Sequence, residues 1–516
     1  MVCPVVLENR LTESYRYNIA GTTFGIITVM CDSGKLRIMI LVNLLAATCL
    51  TAGGFDRVEP QTRTSVVDSP FADAVFRGVT DKENPVGYRV GESIRFRFAF
   101  EGAGKEAYSG RYAIDWVRKG DDGKRTTGRV PIVRGQVPEV VTSLDRPGMV
   151  RLEAWVVDAK TGRREDRGKR APNWPSWEMN DARSVFFGGG ALVEPEKIVQ
   201  SKPEPADFEE FWARQKRRLK DVPVQVIERR LNSRPDSPCQ IWGVKVACAG
   251  PRPLTGALCI PRGAKQKSLK AVCRFHGYGT GVCNPKDYST VSNQIVFVIN
   301  AHGYDFWREK AYYENMCDGV ATAKWSYGRS PWQNEYPEGC YFNGMVLRLL
   351  RAYDFIRTLP EWDGVHLEAE GESQGGAQSL WAASLVDGIT EVRPGVPGMA
   401  DYGAETVPGR IVSGFPWTWA PGLAYYDTIN HARHAKCPVK ITRASLGDTA
   451  CTPTSLAAIF NALPKNARSI VWVQGSQHGY VPPEPNQSIE LPSGRIVSVS
   501  VSKDVFLDKT MERNSR

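Results

Sequence analysis

The stretch from about residue 55 to 187 alternates apolar and polar side chains at every second position. Ile94, Phe96 and Phe98, for example, are separated by arginines. This period of two is typical of strands that place one face on a core, and turn-forming residues such as those at 119–123 separate the runs. We therefore predict a small β-sandwich domain over residues 54–187, with strands near 93–100, 112–117 and 149–157.

The pattern changes after three consecutive glycines at 188–190, which we interpret as a flexible joint that opens a linker over residues 188–204. Short apolar runs then alternate with stretches in which apolar residues recur every three or four positions. This alternation predicts an α/β domain over residues 205–512, with a mostly parallel, doubly wound sheet. The predicted strands are 241–247, 254–260, 271–275, 295–299, 367–371, 439–444 and 470–473, and the predicted helices are 205–220 (with Asp207 as its N-cap), 344–359, 377–386 and 455–463.

The N-terminal region contains a candidate export signal. Lys35 and Arg37 precede an apolar run of 13 residues at 38–50, and small residues follow. Such a run is shorter than the roughly 20 residues that a membrane-spanning helix needs. We predict a signal peptide at about 35–53, exclude residues 1–53 from the fold, and expect a secreted or periplasmic protein. Lipidation at Cys49 and the true start codon stay open.

Composition narrows the possible partners. The chain has 516 residues, of which 42% are hydrophobic and 24% charged, so it can bury cores for two domains. A net charge of +10 without a long basic run argues against nucleic acid as a partner. The cysteines form no C-x-x-C pair, so we favour buried free thiols, keep one or two disulfides open, and predict no metal site.

The motif G-x-S-x-G occurs at 371–375, between a predicted strand and a predicted helix. Gly371 and Gly375 leave the room that a serine on a sharp strand-to-helix turn requires. We therefore predict Ser373 as a nucleophile. The alternative is a glycine-rich turn without chemistry.

A serine hydroxyl needs a base to remove its proton, and the chain has six histidines. In a sheet of this kind the order along the chain is serine, acid, histidine, so the base must follow Ser373. Three histidines do so. His431 and His434 lie in a polar segment and are expected to face solvent. His478 follows the strand at 470–473, on a loop at the end of the sheet that carries Ser373, and is the predicted base.

Two aspartates compete as the acid that orients this histidine. Asp448 follows the strand at 439–444 and is preferred, because Asp401 lies on the connection directly after the layer of the nucleophile. For the oxyanion we predict the backbone N–H groups of Gln374 and Tyr278 as donors. His276, close to Tyr278, is expected to be structural.

These motifs together resemble the acetyl xylan esterase and cephalosporin C deacetylase family of α/β-hydrolases, over about residues 190–485. The likeness is carried by His-Gly-Tyr at 276–278, Gly-Glu-Ser-Gln-Gly-Gly at 371–376, Gly-Asp at 447–448 with Thr-Pro at 452–453, His478, and the acidic and aromatic segment at 207–212. It implies removal of short acyl groups from sugars without metal or cofactor, by the five predicted site residues. Residues 300–303 depart from it, with Asn-Ala-His-Gly where familiar members carry Arg-Gly-Gln, and the added β-domain resembles that of longer secreted forms.

We thus predict a secreted carbohydrate esterase that removes acetyl groups from acetylated sugars or xylan by Ser-His-Asp acyl transfer. The expected partner is an acetylated saccharide or polysaccharide, without nucleic acid and without stable membrane insertion, and the oligomeric state is open. The alternatives are a feruloyl-type esterase, a peptidase of the same fold, or a noncatalytic glycan-binding protein. Sugar stacking by Trp307, Trp325, Trp332 or Trp417 is conceivable, although buried packing is favoured for each.

Overall fold

The computed structural model describes residues 69–171, 181–279, 293–309, 311–312, 327–483 and 487–497, together with the backbone of three earlier strands. These are β1 (Thr12–Ile19), β2 (Thr22–Asp32) and β3 (Lys35–Ile40), which form an antiparallel sheet in the compact unit Met1–Ser65. Most of the predicted export signal, residues 41–53 with Cys49, lies outside the described residues. The second compact unit begins at Val66.

The first domain of this unit is built from two antiparallel sheets, as the period of two predicts. One has the order β4-β5-β8 and the other the order β10-β9-β6-β7. Along β5 buried and exposed residues alternate without interruption, and its phenylalanines share a core with Ile114, Leu152 and Val156 of the second sheet. The strands are β4 (Val75–Thr80), β5 (Ile94–Glu101), β6 (Ser109–Gly120), β7 (Arg125–Val133), β8 (Glu139–Thr142), β9 (Gly148–Asp158) and β10 (Phe186–Val193).

The predicted flexible joint at 188–190 is wrong, because the three glycines lie inside β10 and are buried. They pair with β9, and the absence of side chains lets other backbone approach closely. A Cβ atom on Gly189 would lie 2.2 Å from Oε1 of Gln474, and one on Gly190 would lie 2.8 Å from the carbonyl oxygen of Leu446. The glycines therefore serve close packing against the second domain.

The second domain is organised around one 11-stranded sheet with the order β11-β12-β13-β15-β14-β16-β17-β18-β19-β20-β21. The six neighbouring strands from β15 to β19 run parallel, and the flanking strands are antiparallel. The α/β-hydrolase architecture expected from the sequence is present. The strands are β11 (Val226–Leu231), β12 (Cys239–Val246), β13 (Leu254–Pro261), β14 (Leu269–Phe275), β15 (Gln294–Asn300), β16 (Trp362–Glu372), β17 (Glu391–Gly395), β18 (Val439–Ser445), β19 (Arg468–Val473), β20 (Ser488–Leu491) and β21 (Arg495–Ile496).

Helices cover this sheet with apolar faces, and four of them correspond to predicted helices. In α2 nearly every residue is buried, as it is in α3, which follows the nucleophile motif. Asp207 precedes α1 without capping it through its side chain, and accepts a hydrogen bond from the Tyr425 hydroxyl instead. None of the helices in the described part of the chain is long and apolar enough to cross a membrane. The helices are α1 (Phe208–Lys220), α2 (Tyr341–Ile356), α3 (Gln374–Leu385), α4 (Thr428–Arg433) and α5 (Pro453–Ala462).

Candidate active site

Ser373 lies on the sharp turn between β16 and α3. Its backbone has φ 57° and ψ −118°, which is a costly conformation for a residue with a side chain. The neighbouring glycines explain how the turn fits: a Cβ atom on Gly375 would lie 2.2 Å from the carbonyl oxygen of Phe275, and one on Gly371 would lie 2.7 Å from the same oxygen. The turn therefore requires glycine at both positions for steric reasons. It presents the serine hydroxyl at the carboxyl end of the central strands.

His478 and Asp448 meet Ser373 at this end of the sheet. Nε2 of His478 lies 3.0 Å from Oγ of Ser373, and Nδ1 lies 2.9 Å from Oδ2 of Asp448. Because a carboxylate only accepts hydrogen bonds, Nδ1 carries the proton and Nε2 is free to accept one from the serine. The other oxygen of Asp448 accepts hydrogen bonds from the N–H groups of Ala450 (2.7 Å) and Cys451 (2.9 Å), which fix the carboxylate.

Two opposing effects act on the His478 imidazole. Burial is the largest single effect and disfavours its charged form, but the attraction and hydrogen bond of Asp448, together with the contribution of Cys451, hold the pKa of His478 well above its ordinary value. Asp448 is itself fully buried. The imidazole is therefore a stronger base than a histidine in water.

The two predicted oxyanion donors belong to the same corner of the sheet. Tyr278 follows β14, whose Phe275 is paired with Gly371 of β16, and Gln374 is the first residue of α3. Tyr327 connects them: its ring stacks on that of Tyr278 with centroids 4.3 Å apart, and its hydroxyl donates a 2.7 Å hydrogen bond to Oε1 of Gln374. The sequence offered no motif that would have identified Tyr327.

The segment that departs from the family pattern supports the loop of Tyr278. His302 is buried, with Nε2 2.7 Å from the carbonyl oxygen of Gly279 and Nδ1 2.8 Å from the Tyr341 hydroxyl. His276 lies beside it and accepts a 3.1 Å hydrogen bond from the N–H of Ala301. Both histidines are therefore used in structure, as expected for His276.

The expectation that His431 faces solvent is wrong. It lies in α4, fully buried, with Nδ1 2.6 Å from Oγ of Ser384 and Nε2 3.0 Å from the carbonyl oxygen of Tyr425. Burial lowers its pKa to about 3, so the ring is neutral. His434 is half-buried, and its Nε2 lies 2.9 Å from Oε1 of Glu204. A polar segment can form a short buried helix when its polar groups find partners, and this segment does so.

The competing acid is engaged elsewhere. Asp401 accepts a 2.7 Å hydrogen bond from the N–H of Ser201 and forms a 2.7 Å ion pair with Arg410. Both carboxylate oxygens are thereby occupied away from His478. Of the two candidate acids, the structure brings only Asp448 to the imidazole.

Arg443 joins the two halves of the site and was not identified from the sequence. It is buried in β18, donates hydrogen bonds of 3.1 Å each to the carbonyl oxygens of Gln477 and His478, and forms a 2.9 Å ion pair with Glu372, the residue before Ser373. One guanidinium thus spans the distance between the nucleophile turn and the histidine loop. A charged residue in a predicted strand is a weak indication that could have drawn attention to it.

The first domain contacts both loops that carry the acid and the base. The side-chain amide of Gln474, at the start of the histidine loop, accepts a 3.0 Å hydrogen bond from the N–H of Gly190 and donates a 2.7 Å bond to its carbonyl oxygen. Gly447, directly before Asp448, packs so closely on Gly188 that a Cβ atom would lie 2.1 Å from its carbonyl oxygen. Strand β10 therefore forms part of the support of the site.

One group of side chains near the serine could ligate a cation. Ligand atoms of Asp448, Cys451 and His478 all lie within 4.8 Å of one another. Two of these residues already form the hydrogen-bonded series with Ser373, so a cation bound there would compete with that series. Five cysteines in the described residues, Cys248, Cys273, Cys340, Cys437 and Cys451, are free thiols, and of these all but Cys248 are buried.

A strained serine between a strand and a helix, with a histidine and an aspartate supplied by later strands of a largely parallel sheet, is the arrangement of an α/β-hydrolase. Comparison with known proteins gives the family. Residues 192–407 match the family model described as acetyl xylan esterase (AXE1), which confirms the resemblance found in the sequence. Ser373 and the oxyanion candidates fall inside the match, whereas Asp448 and His478 lie beyond it.

Individual relatives are distant. The acetyl esterase Axe7A of Xylanibacter ruminicola is 24% identical over 290 residues, which are 54% of this chain and 64% of that protein, so the match spans less than two thirds of the relative. Among solved structures, an acetyl xylan esterase from Paenibacillus sp. R4 is 21% identical with a TM-score of 0.46, covering 55% of this chain and 93% of the other. Acetyl xylan esterase 1 from Thermoanaerobacterium sp. is 20% identical, with the same TM-score, and covers 57% and 93%.

Proposed function

We propose that this protein is a serine esterase that removes acetyl groups from acetylated sugars or xylan. The observation that carries the proposal is the continuous hydrogen-bonded series from Ser373 through His478 to Asp448, at the carboxyl end of the sheet in a chain whose residues 192–407 match the acetyl xylan esterase family model. The substrate class is taken from the family and from the relatives named as acetyl esterases. The series itself indicates acyl transfer through a covalent intermediate.

In the first step Oγ of Ser373 attacks the acetyl carbonyl carbon while Nε2 of His478 takes the hydroxyl proton. Asp448 holds Nδ1–H and stabilises the imidazolium that forms. The tetrahedral intermediate then collapses: the bond to the sugar oxygen breaks, and His478 returns the proton to that oxygen. Water repeats the sequence on the acetyl-serine, releasing acetate and restoring the hydroxyl.

The developing negative charge on the carbonyl oxygen needs fixed donors. We assign this role to the backbone N–H groups of Gln374 and Tyr278, since one begins α3 and the other follows the neighbouring strand β14. Removing one such donor costs about 3 kcal/mol of transition-state stabilisation in other acyl transferases. Tyr327, which contacts both residues, keeps the two N–H groups in register.

The test is release of acetate from acetylated xylan and hydrolysis of p-nitrophenyl acetate by the purified protein and its Ser373→Ala variant. We expect both activities in the natural protein and a loss of at least about 10⁴-fold in the variant. Ser493→Ala, which alters an exposed serine in a turn, is the matched control and should leave both rates unchanged. Undiminished ester turnover in Ser373→Ala, or cleavage of peptides in place of esters, would contradict the proposal.

We also propose export of the protein, on the basis of the charged, apolar and small-residue segments at 35–53. N-terminal sequencing of the protein recovered from the extracellular or periplasmic fraction should begin near residue 54. An intact N-terminus in the cytoplasmic fraction would contradict this.

A further inference from the structure

Three aromatic side chains in the described part of the chain are largely exposed: Trp332 (70%), Tyr336 (72%) and Phe415 (52%). They lie on two segments, 327–340 and 408–419, and none of them is needed for the core. Of the tryptophans considered for sugar stacking, Trp307 and Trp417 are half-buried and Trp325 lies outside the described residues. Single exposed rings are common on protein surfaces, so their position relative to the serine decides whether they bind a ligand.

Phe415 is fixed beside the catalytic residues. The N–H of Gly414 donates a 2.6 Å hydrogen bond to the carbonyl oxygen of Thr449, and Oγ of Ser413 donates one of 2.6 Å to that of Ala450. Thr449 and Ala450 directly follow Asp448. The Phe415 ring lies 6.5 Å from the ring of Tyr278, whose backbone is a proposed oxyanion donor. Phe415 therefore stands at the edge of the site.

Arg329 connects Phe415 with the segment of Trp332. Its guanidinium carbon lies 5.6 Å from the Phe415 ring centre and 5.3 Å from that of Trp417. Trp332 follows Arg329 by three residues, so their Cα atoms are at most about 11 Å apart. The turn between them is closed by a 2.8 Å hydrogen bond from Nδ2 of Asn334 to the carbonyl oxygen of Gly328.

The first domain holds the Phe415 segment from the other side. Oδ1 of Asp121, in the turn between β6 and β7, accepts a 2.7 Å hydrogen bond from the N–H of Ile411, and Oδ2 accepts one of 2.6 Å from Thr454. Arg146 donates a 3.2 Å bond to the carbonyl oxygen of Pro408. The segment is thus pre-organised between the two domains, which reduces the entropy that a ligand would have to supply.

We propose that Trp332 and Phe415, on two segments that Arg329 connects, form a saccharide-binding rim that takes sugar rings flanking the acetylated residue. The inference rests on the proposed function of Ser373 and deepens it by naming side chains that contact the sugar rings next to the acetylated one. A sugar ring has apolar C–H faces and a hydroxyl edge, so it suits a flat aromatic ring next to a guanidinium.

Binding can be measured without catalysis. In the Ser373→Ala background, affinity for unacetylated xylo-oligosaccharide should fall roughly tenfold with Trp332→Ala and again with Phe415→Ala. Trp362→Ala is the matched control, because Trp362 begins β16 at the end opposite to Ser373. The affinity of this variant for the oligosaccharide should stay within about twofold of that of the Ser373→Ala protein. Equal affinity in all variants, or no binding by the background protein, would overturn the inference.

Catalysis provides the second readout. With active protein, Trp332→Ala and Phe415→Ala should lower kcat/KM on acetylated xylan about tenfold, while p-nitrophenyl acetate, which has no flanking sugars, stays within about twofold. Equal losses of kcat/KM on both substrates would overturn the proposed saccharide-binding rim and would indicate that the two aromatic side chains have a structural role. Failure of the proposed function has a different result, namely no Ser373-dependent hydrolysis of either ester by the natural protein.

Discussion

At the scale of single residues, the imidazole of His478 lies between a carboxylate that favours its charged form and a serine that needs its neutral form. As a general base it works only when Nε2 is unprotonated, so activity should rise as the pH increases through its pKa. Since Asp448 holds that pKa well above the ordinary value, the inflection of kcat/KM in the natural protein should lie above about 6.5.

Replacing the Asp448 carboxylate should lower the pKa of His478. In Asp448→Asn the attraction of the carboxylate is lost while the effect of burial remains, so the inflection should move to lower pH. At the same time kcat should fall by about 10³ to 10⁴, because the tautomer is no longer fixed. The measurement is the pH profile of ester hydrolysis between pH 5 and pH 10. Asp401→Asn changes the competing acid and should leave the inflection at the same pH. If the inflection moves in Asp401→Asn and not in Asp448→Asn, then Asp401 is the acid that orients His478.

At the same scale, the sequence selected the three side chains that the structure brings together, because the strand pattern placed each after a strand of one parallel sheet. It did not indicate the buried position of His431 or the contacts of Arg443. Both depend on partners far away in the chain, Tyr425 and Glu372 among them. Residue type and local polarity contain no information about such partners.

At the scale of elements, β18 carries more than the acid that follows it. Arg443 in this strand is the link between the nucleophile turn and the histidine loop, and it is almost fully buried. Arg443→Met should lower stability by about 3 to 5 kcal/mol, since Glu372 loses its partner and two loop carbonyl groups lose their donor. It should also lower kcat at least tenfold through displacement of His478.

Lys440, on the same strand, provides the control. It is exposed and paired with Glu391 at the surface, so Lys440→Met should change stability by less than about 1 kcal/mol and leave kcat unchanged. Denaturant unfolding and initial rates on the two variants decide the matter. Equal kinetic behaviour of both would show that Arg443 has no part in positioning the histidine.

The elements that the sequence predicted are those with simple patterns. The apolar strands of the sheet centre and the helices with one apolar face were found within a few residues. Strand β17, with the sequence Glu-Val-Arg-Pro-Gly, was missed, because charged residues and a proline conceal it. Strand β10 was taken for a joint, because its glycines are selected by packing against Gln474 and Leu446 rather than by flexibility.

At the scale of the whole molecule, the β-sandwich supports the candidate active site. Gln474 joins it to the histidine loop through a pair of hydrogen bonds with the backbone of Gly190, all within buried surroundings. Gln474→Ala should cost about 2 kcal/mol or more, because the N–H and carbonyl groups of Gly190 lose their partners. Since the loop of His478 begins there, kcat should also fall about tenfold.

Gln487 is the matched interdomain glutamine. Its side chain accepts a 2.9 Å hydrogen bond from the N–H of Thr80 and donates one of 2.6 Å to the carbonyl oxygen of Lys82, and neither of these bonds involves the acid loop or the histidine loop. Gln487→Ala should lower stability by a similar amount and leave kcat within about twofold. If both variants lose activity in proportion to stability alone, the β-domain does not position the site.

The central claim is that Ser373 is the nucleophile, and covalent labelling tests it most directly. After reaction of the folded protein with a fluorophosphonate, mass spectrometry of the digested protein should find the adduct on Ser373 alone, with loss of ester hydrolysis in proportion to labelling. The label should be absent from Ser373→Ala and much slower to form in His478→Ala. Full esterase activity in protein that carries the label on Ser373, or inactivation with the label on another residue, would contradict the account.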